Sequence, residues 1–397
     1  MSKELGNRAS SLTTQKAIRF VVLMGLVSLF ADMTYEGARS ITGPYLAFLG
    51  ASATVVGIIA GLGELIGYAL RLVSGYFSDK TGKYWLLTGI GYALNLLSVP
   101  LLAFAQTWPA AAGLIILERF GKAIRSPSKD AMLSYATHAT GRGWGFGLHE
   151  AMDQIGAVLG PLLISWILFI QGSYAWGFEW LLIPALLSLL LLAAARFFFP
   201  RPQELEVAHP SLDSSDFRKS YWLYLSAICL LAAGYVDFPL IAYHFQKQAI
   251  VSSSWIPLFY AAAMGIGGLS AFLFGHLFDR YGISILIGTT LLSLLFPPLV
   301  FLGGFAFSLL GMLIWGIGLG AQESIMRAII AHLVSSQQRA TAYGIFNIWF
   351  GVAWFLGSAL MGMLYDFHLP LLIGFSISMQ LAAALVFLFI KRNGGLT

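Results

Sequence analysis

The sequence predicts an all-α membrane protein with twelve transmembrane helices in two pseudo-symmetric six-helix bundles. Charged residues make up only 10% of the 397 residues and hydrophobic residues 58%, whereas a soluble domain has about 25% charged residues. Several apolar runs exceed the ~20 residues that a helix needs to cross a bilayer. A short charged turn at Gly75–Lys83 recurs in weaker form at Gly275–Ile283, 200 residues later. A repeat of half the chain indicates two related halves.

The predicted helices follow the apolar runs, and polar, Gly or Pro residues mark their boundaries. The six helices of the first half are placed at about Ile18–Phe48, Thr54–Phe77, Trp85–Phe104, Pro109–Tyr135, Gly143–Ile170 and Gly177–Phe198. Those of the second half are placed at about Tyr221–Phe245, Trp255–Phe278, Ser284–Leu302, Phe305–Leu333, Ala340–Tyr365 and Pro370–Ile390. The polar, Pro-containing segment between them predicts an N-terminal bundle at 1–198, a cytoplasmic linker at 199–217 and a C-terminal bundle at 218–397.

The distribution of basic residues predicts the orientation. With both termini in the cytoplasm, fifteen of the 23 Lys and Arg residues lie in cytoplasmic segments, and only Lys247 lies in an outer loop. This is the asymmetry that the positive-inside rule describes, so the net charge of +5 does not indicate nucleic-acid binding. Residues Met1–Lys16 have no apolar core, so we expect no cleaved signal peptide. We predict a multi-pass protein of the cell inner (plasma) membrane.

The charged turn after the second predicted helix carries the most specific motif. Gly75, Asp79, Lys80, Gly82 and Lys83 fit the pattern Gly-x-x-x-Asp-(Lys/Arg)-x-Gly-(Lys/Arg). The pattern resembles the signature loop of the major facilitator superfamily of transporters. The weaker copy keeps Gly275, Asp279, Arg280 and Gly282, with Ile283 in place of the last base. The resemblance implies two six-helix halves with a binding site between them, near the middle of the membrane.

The resemblance also implies that the signature loop forms a latch, which closes the cytoplasmic side while the transporter faces outward. In that latch, Asp79 caps the eleventh helix near Arg339, where the helix dipole is positive, and pairs with Lys129. Lys83 then pairs with Asp130. The residues assigned to this cytoplasmic latch are Gly75, Asp79, Lys80, Gly82, Lys83, Lys129, Asp130, Asp279 and Arg280. The alternative is a solvated turn that follows the positive-inside rule.

Ionisable residues are concentrated on the first, fourth, seventh and tenth predicted helices, which by the same resemblance line the central cavity. A charge at the bilayer centre costs from about 2.5 kcal/mol upward, so we expect these residues to avoid lipid. On the first helix, Asp32, Glu36 and Arg39 share one face. The fourth helix carries a charged stripe of Glu118, Lys122, Arg125 and Lys129, with Arg119 beside it.

The acids on these helices are the candidates for proton coupling, because a carboxyl group in a low-dielectric cavity ionises less readily. We predict that Asp32 or Glu36 pairs with Arg119 or Lys122 in one conformation and is released in the other. A permanent structural salt bridge is the alternative. The predicted proton-coupling residues are Asp32, Glu36, Asp237 and Glu323. The predicted substrate contacts are Tyr35, Arg39, Arg119, Lys122, Arg125, Tyr243, Gln322 and Arg327.

Two further groups of polar residues lie on the second and fifth helices, which we expect to pack inside the N-terminal half. Glu64 and Arg71 share a face of the second helix, and the fifth helix holds His149, Glu150 and Asp153. We interpret both groups as structural networks, with His149 also placed to shuttle protons.

The fifth helix also contains Gly156-x-x-x-Gly160-Pro161, which resembles a motif of drug–proton antiporters. Here Ile164 and Ser165 stand where that motif has a Gly pair. An ordinary small-residue packing face is the alternative.

The sequence therefore predicts a secondary active transporter that moves a small organic solute across the inner membrane by alternating access. Proton-coupled export, or antiport, is the first hypothesis. No nucleotide-binding motif is present, so an ion gradient must drive transport. The alternatives are proton-coupled uptake of an organic anion, such as a carboxylate metabolite or siderophore, and a lipid flippase or non-transporting receptor. We expect no enzymatic activity, no cofactor, no metal and no nucleic-acid partner. The expected partners of a monomer are the solute, protons and the lipid bilayer.

Overall fold

A computed structural model of the chain describes residues 2–140, 142–201, 219–334 and 339–393. Side chains are described for 15–136, 145–201, 220–278, 280–326, 329–330, 333–334 and 342–393. All regular structure in these ranges is helical. The side chains of three predicted functional residues, Asp279, Arg327 and Arg339, lie outside the described set.

The first half of the chain forms seven α-helices and one short 3-10 turn at Leu102–Phe104. The helices are α1 (Ser2–Phe48), α2 (Ala53–Thr81), α3 (Tyr84–Leu101), α4 (Trp108–Thr140), α5 (Arg142–Gln171), α6 (Tyr174–Trp180) and α7 (Leu182–Phe198). The second half forms α8 (Lys219–Gly234), α9 (Phe238–Lys247), α10 (Trp255–Tyr281), α11 (Ser284–Ser293), α12 (Phe296–Leu302), α13 (Phe305–Leu333), α14 (Arg339–Phe367) and α15 (Leu369–Arg392).

Three of the spans are each formed by two consecutive helices with a break between them. These pairs are α6 with α7, α8 with α9, and α11 with α12. The break in the α8–α9 span leaves Asp237 extended at the start of α9, with a proline in the first turn. Proline lacks a backbone N–H and is tolerated at a helix start. An ionisable side chain thus lies at a helix N-terminus inside the span Ser220–Lys247.

Counted this way, the described helices make twelve spans, as predicted. Eleven of them are long and apolar enough to cross a membrane by length and composition. The twelfth is α4, which has 33 residues and is long enough, but its charged stripe lowers its hydropathy. Charges on a spanning helix are tolerated where they face protein or a cavity, so the exception points to the functional face of the bundle.

The two ends of the bundle are named here by the predicted orientation. The inner end holds Gly82, between α2 and α3, and the outer end holds Gly50, between α1 and α2. Gly82 ends α2 with a left-handed φ of 64°, and its N–H bonds to the carbonyl of Ser78 at 2.9 Å. Gly282 ends α10 with a φ of 55°, and its N–H bonds to the carbonyl of Phe278 at 2.8 Å. The two turns of the repeated motif therefore use glycine for the same reason, since other residues disfavour that φ.

The two halves also repeat one close helix contact. A Cβ atom at Gly160 on α5 would overlap the carbonyl oxygen of Met33 on α1, and one at Gly357 on α14 would overlap that of Ala233 on α8. Gly156 meets the carbonyl of Leu29 on α1 in the same way. The glycines of the antiporter-like motif thus let two backbones approach, which agrees with the packing interpretation.

Between the halves, α2 packs along α14 and α5 packs along α10.

Candidate functional site

An ion-pair network lies between the two halves, with Arg39 at its centre. The Nη2 atom of Arg39 on α1 donates to Oδ1 of Asp237 at 2.8 Å and lies 3.2 Å from Oε1 of Glu64 on α2. The indole N–H of Trp354 on α14 donates to the other oxygen of Asp237 at 3.3 Å. The side chain of Asp237 is only 2% exposed. One guanidinium therefore joins a buried carboxylate of the second half to a carboxylate of the first.

The network continues within the first half through Arg119 on α4. Its guanidinium lies 3.4 Å from Glu64 and 3.2 Å from Glu118. The amide of Asn95 on α3 donates to Glu118 at 2.6 Å. Two guanidinium groups and three carboxylates are thus held together, and buried charges are tolerated when they are paired in this way.

Glu36 makes a second contact between the halves. Its Oε2 accepts a hydrogen bond from the hydroxyl of Tyr260 on α10 at 2.5 Å. Glu36 is 8% exposed, and Tyr260 is fully buried and stacked on Phe238 at 4.1 Å between ring centroids. The buried carboxyl group therefore has a neutral hydroxyl as its partner.

The predicted pairing of Asp32 or Glu36 with Arg119 or Lys122 is not formed in this conformation. Among the described side chains, neither acid forms an ion pair. Arg119 is held by acids on α2 and on its own helix, and Lys122 lies 3.8 Å over the ring of Tyr35. The acids of α2 and α4 are nearer to Arg119 than the acids of α1, and sequence spacing does not reveal that distance.

Lys122 and Arg125 form a cationic pair on α4, supported by aromatic rings. The guanidinium of Arg125 lies 4.2 Å from the ring centroid of Tyr92 and 5.7 Å from that of Tyr35. No carboxylate forms an ion pair with either cation within the described part of the chain. Cation–π contacts stabilise such charges but leave their hydrogen-bond donors available to an anion.

A small cavity adjoins the network on the first half. It has a volume of about 30 Å³, and its lining includes Tyr35, Arg39, Glu118, Arg119 and Asp237. This volume admits one or two water molecules but no organic solute. In this conformation the region around the network is closed.

The outer end is held closed by hydrogen bonds between the halves. Tyr174 on α6 donates to Gln246 on α9 at 2.9 Å, and Ser165 on α5 donates to the carbonyl of Ser254 at 2.7 Å.

The strongest of these outer contacts is made by Asp366, near the end of α14. Its carboxylate accepts from the backbone N–H of Ala53 at 3.2 Å and from the N–H and hydroxyl of Thr54 at 2.8 Å and 2.7 Å. A carboxylate at a helix N-terminus stabilises the positive end of the dipole. Asp366 therefore caps α2 at the outer end, which is the geometry predicted for Asp79 and the eleventh helix at the inner end.

At the inner end, the pairings predicted for the outward-facing latch are not formed in this conformation, whose outer end is closed. Lys129 lies 3.9 Å from Asp153 and 3.8 Å from Asp130, and Asp79 accepts a 3.4 Å hydrogen bond from Tyr84 instead. Exposed Lys83 forms no ion pair with Asp130 among the described side chains. The ammonium group of Lys129 lies between Asp153, which is 19% exposed, and Asp130, which is 61% exposed. The less exposed carboxylate attracts a cation more strongly. The remaining latch residues, Gly75, Lys80, Gly82 and Arg280, lie at this end, with both bases exposed.

Three predicted site residues lie elsewhere. Tyr243 is buried against Tyr365 on α14, with ring centroids 5.7 Å apart at 85°. Gln322 on α13 is 5% exposed, and its carbonyl oxygen lacks a hydrogen-bond partner among the described residues. Glu323, its neighbour, is exposed. None of the three belongs to the ion-pair network.

Comparison with known proteins identifies the family. A sequence model of the Major Facilitator Superfamily matches residues 24–358. The chain belongs to the major facilitator superfamily. This major facilitator is 40% identical to an uncharacterized protein of Mycobacterium tuberculosis (strain ATCC 25618 / H37Rv) over 383 residues, or 95% of this chain and 93% of that one.

The similarity extends to a transporter from an archaeon and to a solved structure. The major facilitator is 26% identical to an uncharacterized MFS-type transporter of Methanocaldococcus jannaschii over 388 residues, or 93% of this chain and 94% of that one. Its fold is similar to the crystal structure of the nucleoside transporter NupG, with a TM-score of 0.74 and 15% identity over 93% of this chain and 99% of that one. The protein is therefore a membrane transporter with the twelve-helix fold of its superfamily.

Sequence reasoning missed several members of the site in this major facilitator. Glu64 was interpreted as part of a structural network and Glu118 as part of the charged stripe of the fourth helix, and neither was assigned to the site. Nothing in the sequence marked Tyr260 and Trp354 as functional residues, because buried aromatic residues are common in spanning helices. Their roles depend on which side chains face them across the two halves.

Proposed function

We propose that this transporter exports a small organic solute in exchange for protons, with Glu36 as the proton-binding residue. The observation that carries the proposal is the contact between Glu36 and Tyr260, which joins the two halves through a buried carboxyl group without an ion partner among the described side chains. Protonation of Glu36 changes the strength of that contact. Proton binding is thereby linked to the position of the two halves.

The contact with Tyr260 suggests the direction of proton movement in the proposed cycle. A hydrogen bond from a hydroxyl to an ionised carboxylate is roughly twice as strong as one to a neutral acid. In the proposed cycle, Glu36 is ionised while the outer end is closed and protonated while the outer end is open. By linkage, a proton is taken up outside and released inside. A solute that binds when Glu36 is ionised then moves outward.

Proteoliposomes containing a pH-sensitive dye test the proposal. Wild type and Glu36→Gln are compared while labelled organic cations, neutral aromatic solutes and monocarboxylates are applied in turn. We expect solute-driven proton movement for wild type, and for Glu36→Gln solute binding without proton movement. Glu179→Gln is the matched control, because it makes the same acid-to-amide change at an exposed position on α6. Equal proton movement in wild type and Glu36→Gln would exclude Glu36 as the coupling residue.

Lys122 and Arg125 favour a second candidate, which is proton-coupled uptake of an organic anion. Both cations lack a carboxylate partner among the described side chains and lie on aromatic rings at mid-span. An anionic group placed between them would gain charge-assisted hydrogen bonds. The sign of the flux separates the two candidates, since an inward proton gradient drives accumulation of a monocarboxylate by symport and expulsion of a solute by antiport.

For the second candidate, Lys122→Gln is expected to weaken binding of the monocarboxylate at least tenfold, corresponding to about 1.4 kcal/mol. The same change is expected to leave binding of a neutral solute within about twofold, a difference of roughly 0.4 kcal/mol. If no solute moves protons in wild type, both candidates fail, and a lipid flippase or a non-transporting receptor becomes the better explanation.

A further inference from the structure

A second buried cluster lies inside the first half, on the inner side of the ion-pair network. It consists of Ser28 on α1, Lys129 on α4, and His149 and Asp153 on α5. The Nε2 atom of His149 lies 2.9 Å from the hydroxyl of Ser28 and 3.3 Å from Nζ of Lys129. Its Nδ1 atom lies 3.4 Å from Asp153, and Nζ of Lys129 lies 3.9 Å from the same carboxylate. The described side chain of His149 is only 5% exposed.

The contacts determine which ring nitrogen of His149 carries a hydrogen. An ammonium group has donors and no acceptor, so the Nε2 atom beside Lys129 must be the acceptor. Nδ1 then carries the hydrogen and donates it to Asp153. A second proton on the ring would place two cations 3.3 Å apart, so a proton that reaches this cluster is better received by Asp153. The Oδ1 atom of Asp153 is buried and lacks a hydrogen-bond partner among the described residues, which further disfavours its negative charge.

The cluster lies next to Asp32 on α1. The Cβ position at Gly156 is 3.1 Å from the Cβ atom of Asp32. Asp153 is three residues before Gly156 and Ser28 is four residues before Asp32, so both lie about one turn away along their helices. The charged and titratable groups that face the cluster are Asp32 and Tyr35 on α1, Tyr92 on α3, Arg125 and Asp130 on α4, and Glu150 on α5.

Lys129 also lies close to the signature loop. The hydroxyl of Ser128 donates to that of Ser78 at 3.0 Å, which holds this turn of α4 against the inner end of α2 beside Asp79. Asp130, 3.8 Å from Nζ of Lys129, is 61% exposed at the same end. The ammonium group thus lies between Asp153, which is only 19% exposed, and the exposed carboxylates of the predicted latch.

We propose that Asp153 is a proton-binding site whose occupancy releases Lys129 to the acids at the inner end. One proton, from Asp32 or from water, bonds to the carboxylate of Asp153 and neutralises it. The attraction between Asp153 and the ammonium group is then lost, and Lys129 moves toward Asp79 while it keeps Asp130, which is already 3.8 Å away. His149 is a positioning residue, because its Nδ1–H holds the carboxylate and its Nε2 holds Lys129. The site thereby links acidity to closure of the inner end.

The full-length protein in lipid nanodiscs tests this site with protons as the ligand. Spin labels at Phe198 and Tyr281, which are exposed at the inner ends of α7 and α10, report the distance between the halves in a background of Cys229→Ser. We expect the ratio of closed to open inner end in wild type to rise at least about tenfold as the pH is lowered. Asp153→Asn, which mimics the protonated acid, is expected to be closed at every pH. Lys129→Gln is expected to be insensitive to pH.

Controls separate this site from Glu36. Glu36→Gln is expected to lose proton-coupled flux and to keep the pH response of the inner end, whereas His368→Gln, an exposed histidine at the outer end, is expected to keep both. A wild-type pH profile in Asp153→Asn would overturn the proposal. The proposal would also be overturned if Glu36→Gln lost the pH response of the inner end while Asp153→Asn kept it.

Nitrogen NMR of histidine-labelled wild type provides a test that does not depend on the folding of any Asp153 variant. The chain has seven histidines, and the resonance missing from His149→Gln assigns His149. We expect the neutral form with hydrogen on Nδ1. A neutral form with hydrogen on Nε2 would contradict the geometry on which the site rests.

Discussion

The ion pair between Arg39 and Asp237 gives the sharpest test of how the two halves are held together. It joins α1 to the start of α9 at 2.8 Å, and Asp237 is only 2% exposed. Asp237→Asn keeps the size of the side chain and its contact with Trp354, but it removes the negative charge. We expect the variant to favour a conformation whose outer end is open.

The structure sets the size of the effect. Removing one partner of a fully buried pair costs about 3–5 kcal/mol, but Arg39 keeps Glu64 at 3.2 Å and is 16% exposed. The loss is then closer to that of one hydrogen bond to a charged group, about 1.5–3 kcal/mol. A free energy of this size changes the ratio of the two conformations by about 10- to 150-fold.

Double electron–electron resonance measures the shift directly. Labels at Gln171 and Lys247, both exposed at the outer end on opposite halves, are introduced in the Cys229→Ser background, which removes the single native cysteine. The expected result is growth of a longer distance at the outer end.

The control is Glu179→Gln, which removes an exposed acid at the same end and is expected to leave the distances unchanged. An unchanged distribution in Asp237→Asn, or a shift toward shorter distances, would show that this ion pair does not hold the outer end.

Three further changes have expected outcomes of their own. Asp366→Asn removes the charged cap of α2. Since caps and dipole contacts are worth about 1 kcal/mol, the ratio of open to closed outer ends should rise about fivefold. The same distance distribution as in wild type would contradict the cap. Tyr260→Phe removes the hydroxyl that binds Glu36. It should raise the ratio of open to closed outer ends by more than Asp366→Asn does, because a hydrogen bond to a charged group contributes about 1.5–3 kcal/mol. Gly160→Val should lower the free energy of unfolding by about 1–3 kcal/mol through overpacking against α1, which is measured as a lower melting temperature in detergent. The control is Gly374→Val, which has open space around its Cβ position and should melt at the same temperature as wild type.

The sequence alone determined the architecture of this transporter. Apolar runs of spanning length fixed the number of helices, because the bilayer sets the length of every span. The charged motif that recurs after 200 residues indicated the two related halves. In the structure, its glycines Gly82 and Gly282 both have the left-handed φ that glycine supplies. The charged face of α4 was also visible, because a residue with this cost in lipid must face protein or a cavity.

The tertiary structure decided which charges are partners. Asp32, Glu36 and Arg39 were correctly placed on one face of α1, yet spacing along one helix does not say which side chain of another helix faces them. Arg39 joins Asp237 across the halves and Arg119 joins Glu64 within the first.

Lys129 is the instructive case. The resemblance assigned it to Asp79 in the outward-facing latch, and in the present conformation it lies within 4 Å of Asp153, Asp130 and His149. Coulomb energies fall with distance and with the dielectric constant of the surroundings. The choice between two acids therefore depends on burial and on distances of a few ångströms, which only the packing of α1, α4 and α5 sets.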